Sequence, residues 1–384
     1  MTTGPAPRRG PVPPIPLTVI TGFLGAGKTT LLNRLVKDSG LSDTALIINE
    51  FGEVGIDHLL VKPISDGVVL LQSGCLCCTL RGDLVDALES LLRDLDNGRV
   101  NFRRVMLETT GLADPAPVLQ TVMAHPYLVM RFRLDGVITL VDAVNGQATL
   151  DAHEEAVKQA AFADRLVLTK TDLLAPKDRE ATKRALTERL RALNPAAPIL
   201  DANAGEAPAT ALLNAGLYDP EQKSADVRRW LAHEAYLAAG EAHDHGHQHH
   251  GHHHDPNRHD AHIRAFSLAT DQAIPAATVD MFLDLLRSMH GPNLLRVKGV
   301  VRLAESPDSP LVIHGVQHVF HPPARLDAWP DEDRRTRLVF IVHDLDPAAI
   351  QGLFQAFIGA PAVDRPDRAA LVDNPLVPFG GVDR

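Results

Sequence analysis

Between the apolar run Leu17–Thr21 and a helical stretch at Thr29–Lys37 stands Gly22-Phe23-Leu24-Gly25-Ala26-Gly27-Lys28-Thr29. The octet fits GxxxxGK[ST], and its place after a strand and before a helix separates a phosphate-binding loop from a chance match. It restricts the fold more than any other stretch, because such a loop works only where a buried strand ends at a helix N-terminus. Backbone N–H groups of the Gly22, Gly25, Ala26 and Gly27 turn, and of the first helical residues through Thr30, then face phosphate oxygens. Lys28 reaches the β and γ oxygens, and the Thr29 hydroxyl coordinates Mg²⁺.

The first two hundred residues keep the alternation this loop demands. Strands are predicted at Leu17–Thr21, Thr44–Asn49, Gly67–Leu71, Arg104–Glu108, Gly136–Asp142, Arg165–Thr169 and Pro198–Asp201. They are short, rich in Val, Ile and Leu, and bounded by turn residues, as strands buried on both faces are. Helices fall between them at Asp83–Asp94, Ala116–Met123, Glu154–Ala161 and Asp178–Leu193. The expected fold is α/β, a P-loop NTPase with a mainly parallel sheet.

The pattern then shifts. After a helix at Asp226–Gly240, ten of the twenty residues His243–His262 are histidine, a composition that builds no packed core. Beyond it come a strand at Ile263–Leu268, a helix at Ile274–His290, strands near Leu294–Leu303, Leu311–Phe320 and Thr336–His343, and a helix at Pro347–Ile358. These make a smaller C-terminal α+β domain. The predicted organisation is a disordered leader (1–16), a nucleotide-binding domain (17–225), a helix and His-rich linker (226–262), the C-terminal domain (263–360) and an irregular tail (361–384).

Charge and cysteine usage narrow the partners. With 38 Lys+Arg against 48 Asp+Glu the net charge is −10, which argues against nucleic acid or an anionic membrane. No run approaches the roughly 18–20 apolar residues of a membrane span, and no signal-type stretch precedes the first strand. The expectation is a cytoplasmic chain. Three cysteines cannot form a disulfide framework.

A Mg²⁺ site also needs a carboxylate at the end of a neighbouring strand. Glu108, ending Arg104–Glu108 and followed by Thr109-Thr110-Gly111, is assigned to it, with Asp142 as a rival; either can instead cap the loop that follows. Thr169-Lys170-Thr171-Asp172 ends another strand in the KxD pattern that reads guanine. One carboxylate, Asp172, accepts both N1–H and N2–H₂ of guanine and repels the N1 acceptor of adenine, while the Lys170 stem stacks on the base. Thr169 stands where Asn is usual, so one tethering hydrogen bond is expected to be lost. Asn203, in Asn203-Ala204-Gly205, offers a backbone N–H to guanine O6 or is an ordinary loop residue.

All three cysteines fall within four residues, Gly74-Cys75-Leu76-Cys77-Cys78, just before a helix. A helix N-terminus favours thiolates, and three soft ligands suit Zn²⁺, Cu(I) or Co²⁺. Structural zinc takes four protein ligands. Three thiols leave a position for water, Glu, His or a transient partner, which suits metal that is handed on.

Taken in order, GFLGAGKTT at 22–30, NEFGEVGID at 49–57, GCLCC at 74–78, ETTGLADP at 108–115 and TKTD at 169–172 resemble the CobW-type metal-insertion GTPases, relatives of UreG and HypB. LLRVKGVVRL at 294–303 and VQHVF at 316–320 resemble the CobW C-terminal domain. The resemblance implies a GTP-hydrolysing metallochaperone using GTP and Mg²⁺. The sequence offers no evident water-positioning Gln or arginine finger, so slow intrinsic turnover is expected, accelerated by a client or dimer partner. The resemblance also implies that Cys75, Cys77 and Cys78 bind zinc, or else cobalt, for delivery to a client metalloprotein. It places Glu50 and Glu53 in the switch region, Glu50 also as a candidate metal ligand. His125 is a candidate nitrogen ligand, and a homodimer a candidate assembly. The histidine tract is a loading arm or a solvated linker. Arg296, Lys298 and His318 belong to a client-recognition or regulatory module, or simply to an exposed strand face. The alternatives are a P-loop kinase or ATPase with an incidental thiol loop, and a non-catalytic His-rich metal store.

Overall fold

The computed structural model describes residues 13–35, 43–49, 60–65, 68–73, 81–213, 262–320 and 323–359. In the first part, the strands are β1 (Ile15–Gly22), β2 (Thr44–Asn49), β3 (Leu60–Ser65), β4 (Val68–Ser73), β5 (Arg104–Glu108), β6 (Phe132–Asp142), β7 (Arg165–Thr169) and β8 (Ile199–Asp201). They form one sheet in the order β3-β4-β2-β5-β1-β6-β7-β8. Every neighbouring pair is parallel except β3–β4 at the edge. The helices are α1 (Lys28–Leu35), α2 (Arg81–Asp96), α3 (Ala116–Ala124), α4 (Leu128–Arg131), α5 (Gly146–Ala152), α6 (Glu154–Phe162), α7 (Arg179–Leu193) and α8 (Ala209–Leu212). Strands β1, β5, β6 and β7 are largely apolar because helices bury both sheet faces there. Leu17, Val19, Val105 and Val137 face one layer, Ile20, Leu46, Met106 and Ile138 the other.

Two elements depart from the sequence-based prediction for physical reasons. Strand β3 contains Pro63, which cannot donate to a ladder and is confined to sheet edges, where β3 lies. Strand β6 begins at Phe132 instead of Gly136. The charged Asp135 inside it resembles a turn residue, yet it is buried because Thr18 donates to it at 2.9 Å and Arg104 pairs with it. Residues 226–240 and the histidine tract up to residue 261 lie outside the described residues, as do the tail and most of the leader.

The second sheet comprises β9 (Ile263–Thr270), β10 (Leu294–Val301), β11 (Leu311–Val316), β12 (Val319–Phe320), β13 (Ala324–Arg325) and β14 (Thr336–His343), with helices α9 (Ala276–His290) and α10 (Pro347–Phe357). Its strand order is β12-β11-β10-β14-β9, all antiparallel, with β13 on β11. The predicted strand Leu311–Phe320 is a hairpin, β11 turning at Gln317 (φ 51°) into β12. One face packs Phe266, Val297 and Phe340 against Phe282, Leu286 and Phe354 of the two helices. The other face lays Ile263, Leu295, Val316 and Ile341 into the core of the first sheet's helices, so the two sheets share a buried interface. Each such Leu or Ile, fully buried, contributes about 1.5–3 kcal/mol. Among the described residues no helix is long and apolar enough to cross a membrane.

Candidate functional site

The carboxyl ends of β1, β5, β6, β7 and β8 gather the predicted site residues at one edge of the sheet. Strand β1 ends at Gly22 and α1 begins at Lys28, so the turn between them is the phosphate-binding loop. Gly25 and Gly27 hold φ +74° and +88°, a left-handed backbone that side chains resist. A Cβ on Gly25 would point into space with no protein atom within 4 Å, which leaves the cradle open to a ligand. Lys28 is buried to 9% exposure, and its Nζ donates to the carbonyls of Gly22 (2.8 Å) and Phe23 (3.3 Å). Burial holds its ammonium pKa below the ordinary lysine value, against the upward pull of Glu108.

Thr29 and Thr30 lie exposed on the first turn of α1. The Thr29 hydroxyl donates to Glu108 Oε1 at 3.5 Å, and Glu108 is 5% exposed. A hydroxyl and a carboxylate beside a phosphate-binding lysine are the hard oxygen donors that Mg²⁺ takes, so the residues fit that cofactor. The rival carboxylate is otherwise engaged. Asp142 accepts from the backbone of Val144 and Asn145, from the Asn145 amide and from Lys170 Nζ at 2.8 Å. Burial raises its pKa, but these bonds outweigh it and hold the carboxyl below its usual value.

The residues of the KxD pattern follow β7. Lys170 adopts φ +58°, which turns the chain so that Asp172 stands exposed at the sheet edge. Asp172 Oδ1 accepts from the Asn203 side-chain amide at 2.8 Å. The Asn203 backbone is committed elsewhere: its N–H and that of Ala204 donate to Asp201 Oδ1 at 2.9 and 3.2 Å. Asp201 also accepts from Thr171 (2.8 Å) and Lys183 (2.7 Å). It therefore ties the two base-side loops together. Burial raises the Asp201 pKa, but Lys183 and Thr171 outweigh it and keep the carboxyl ionised. Thr169 donates through its hydroxyl to the Ala26 carbonyl at 2.8 Å, which locks the glycine-rich loop to β7.

The loop after Glu108 is anchored twice. Thr109 donates from its backbone to Ile20 O (2.9 Å) and from its hydroxyl to Thr21 (2.8 Å). Gly111 has no room for a side chain, since a Cβ would stand 2.6 Å from the backbone nitrogen of Leu24. Gln159 of α6 holds this loop from behind, a contact no local sequence signal announces.

Glu50, Glu53, Cys75, Cys77 and Cys78 lie outside the described residues. Among the described residues no three His, Cys, Asp or Glu side chains stand together to hold a metal ion. His125, at the end of α3, has its Nε2 4.0 Å from Glu89 Oε1. Arg296 and Lys298 depart from the exposed-face expectation. Arg296 is 3% exposed, and both side chains pair with Asp164, the residue two beyond the end of α6. His318 meets Gln120 of α3 at 2.8 Å.

A glycine-rich loop between β1 and α1 of a parallel sheet, with lysine, hydroxyl and carboxylate converging on it, defines a P-loop nucleotide-binding protein. Residues 16–201 match the CobW/HypB/UreG nucleotide-binding domain, and residues 263–358 match the cobalamin synthesis protein CobW C-terminal domain. The chain belongs to the CobW family of P-loop GTPases. It is 33% identical to the zinc chaperone YjiA of Escherichia coli over 89% of this chain and 98% of that protein. It is 30% identical to the zinc chaperone CobW of a Sinorhizobium species, over 90% and 97%. The crystal structure of Zn(II)-bound YjiA GTPase from E. coli superimposes with a TM-score of 0.66 at 30% identity, covering 90% of this chain and 99% of that one.

Proposed function

We propose that the chain is a GTP-hydrolysing metallochaperone that binds zinc, with cobalt as the second candidate cargo, at Cys75, Cys77 and Cys78 and delivers it to a client metalloprotein. The observation that carries the nucleotide half is the meeting of Thr29 and Glu108 beside Lys28, at the sheet edge where Asp172 stands open to a base. Its relatives named zinc chaperones support the metal half. Lys28, Thr29, Thr30 and the glycine turn hold the triphosphate, Thr29 and Glu108 hold Mg²⁺, and Lys170 and Asp172 read guanine. Mg²⁺, when bound, neutralises charge on the phosphate oxygens. Residues 17–225 carry the nucleotide, 226–262 link and gather metal, and 263–360 recognise the client. Glu50 and Glu53 belong to the segment that answers the γ-phosphate.

Cargo release follows nucleotide state only if the two states bind zinc differently, since a ligand with equal affinity for both shifts nothing. Competition of the full chain with a chromophoric zinc chelator, in GDP and in a non-hydrolysable GTP analogue, tests this. Distinct zinc affinities that vanish in C75S/C77S/C78S support the reading; equal affinities remove the coupling. Native purification followed by metal analysis separates zinc from cobalt.

A further inference from the structure

Helix α6 touches both halves of the molecule. Gln159, 1% exposed, donates from Nε2 to the carbonyls of Gly111 (3.2 Å) and Ala113 (2.9 Å), in the loop that leaves Glu108 and packs on Leu24 of the phosphate-binding loop. Its own carbonyl accepts the Thr139 hydroxyl at 2.7 Å, which fixes the helix to β6. Three residues on, the Phe162 carbonyl accepts from Arg296, and Asp164 pairs with Arg296 and Lys298 of β10. The buried Oε1 of Gln159 has no hydrogen-bond partner among the described residues. Burying half an amide unsatisfied is costly, and Leu or Met would pack the same space without that cost. What the amide supplies that they lack is its two donors, both aimed at the loop.

We propose that Gln159 is a positioning residue for nucleotide hydrolysis: it clamps the Gly111 and Ala113 carbonyls, keeping Glu108 and the phosphate-binding loop in register, and the C-terminal sheet sets this clamp through α6. The proposal rests on the GTPase reading above. Gln159 touches no nucleotide; it acts through the loop.

The test uses full-length wild type, Q159M and Q159E, measuring single-turnover hydrolysis of GTP and ATP, GDP affinity and cooperative unfolding. Q159M keeps the packing and removes the donors. It is expected to slow hydrolysis roughly 10- to 100-fold, the scale of an ångström-level misplacement, with GDP affinity held within about twofold. Q159E sets a carboxylate against two carbonyls. Its hydrolysis rate should recover relative to wild type as pH falls and the protonated acid regains an O–H donor. K298M alters the far end of α6 and should slow hydrolysis too, and Q159M/K298M should be no slower than Q159M alone. Unchanged hydrolysis in Q159M, equal loss of hydrolysis and GDP affinity, or a Q159E profile parallel to wild type overturns the clamp. Multiplicative effects in the double variant overturn the link through α6. A wild type that turns over neither nucleotide removes the hydrolase reading and the clamp with it, whereas a working wild type beside an equally fast Q159M removes the clamp alone.

Discussion

Lys28 and Asp164 are both charged, both buried and both shifted in pKa, yet their surroundings are opposites. Among the described residues the Lys28 ammonium donates to the carbonyls of Gly22 and Phe23, with Glu108 acting across space. Asp164 has Arg296 and Lys298 directly on one oxygen and the Val137 N–H on the other at 2.9 Å. Burial raises the Asp164 pKa, and the two cations overwhelm that and hold it far below the usual carboxylate range. The Asp164 cluster is complete in the protein's own side chains, whereas under the proposed function phosphate oxygens complete the one at Lys28. Perturbed ionisation alone therefore does not mark a functional site; what matters is who supplies the counter-charge.

Removing the keystone of the completed cluster should have the largest effect. Asp164→Ala leaves Arg296 and Lys298 facing each other without a counter-ion, and the expected loss is about 3–5 kcal/mol in urea unfolding. Lys28→Ala should change stability by under about 1 kcal/mol, because among the described residues no carboxylate bonded to it is orphaned. A small loss in D164A would erase the contrast.

Function should sort the opposite way. Lys28→Ala is expected to slow GTP hydrolysis about 100- to 1,000-fold in phosphate-release assays, the scale of deleting one charge-stabilising donor in an active site. Asp172→Ala removes a charge-assisted acceptor worth about 1.5–3 kcal/mol, so GTP affinity should fall roughly 10- to 100-fold while ATP affinity stays put. Tight ATP binding by the wild type, or GTP binding that survives D172A, would favour a kinase or ATPase instead.

The two clusters also differ in how far they could be read in advance. Gly22 to Thr29 is one contiguous stretch, Glu108 ends a short apolar strand and Asp172 lies three residues past the end of another, so their positions follow from local pattern. Asp164 and Arg296 are 132 residues apart in the chain, and no local periodicity reports that they meet. Arg296 sits in Leu294–Val301, where alternation on an antiparallel strand predicts a solvent face; the partner face is instead another part of the protein. Gln159 reads as an ordinary polar residue in an amphipathic helix. The Thr169–Ala26 bond joins residues 143 apart, so no local pattern announces it.

A last comparison separates the clusters by pH. Burial and the neighbouring Arg296 lower Lys298 to about 8, against the upward pull of Asp164. In the unfolded chain the lysine keeps its ordinary value near 10.5. Between these values the unfolded state binds the proton that the folded state has released, so stability rises with pH through that window. Below about pH 8 both states are protonated and the term is flat, the folded state bearing the full cost of the buried charge. Lys298→Met removes the titration. Unfolding free energies of wild type and K298M, measured from pH 7.5 to 10.5, should therefore differ by an amount that moves in favour of wild type as pH rises. The slope is at most about 1.4 kcal/mol per pH unit, the worth of one proton. A difference that stays level would mean that Lys298 remains charged throughout. In that case Asp164 and the surrounding backbone stabilise the two cations as fully as water does, and the completed cluster would be stabler than its burial implies.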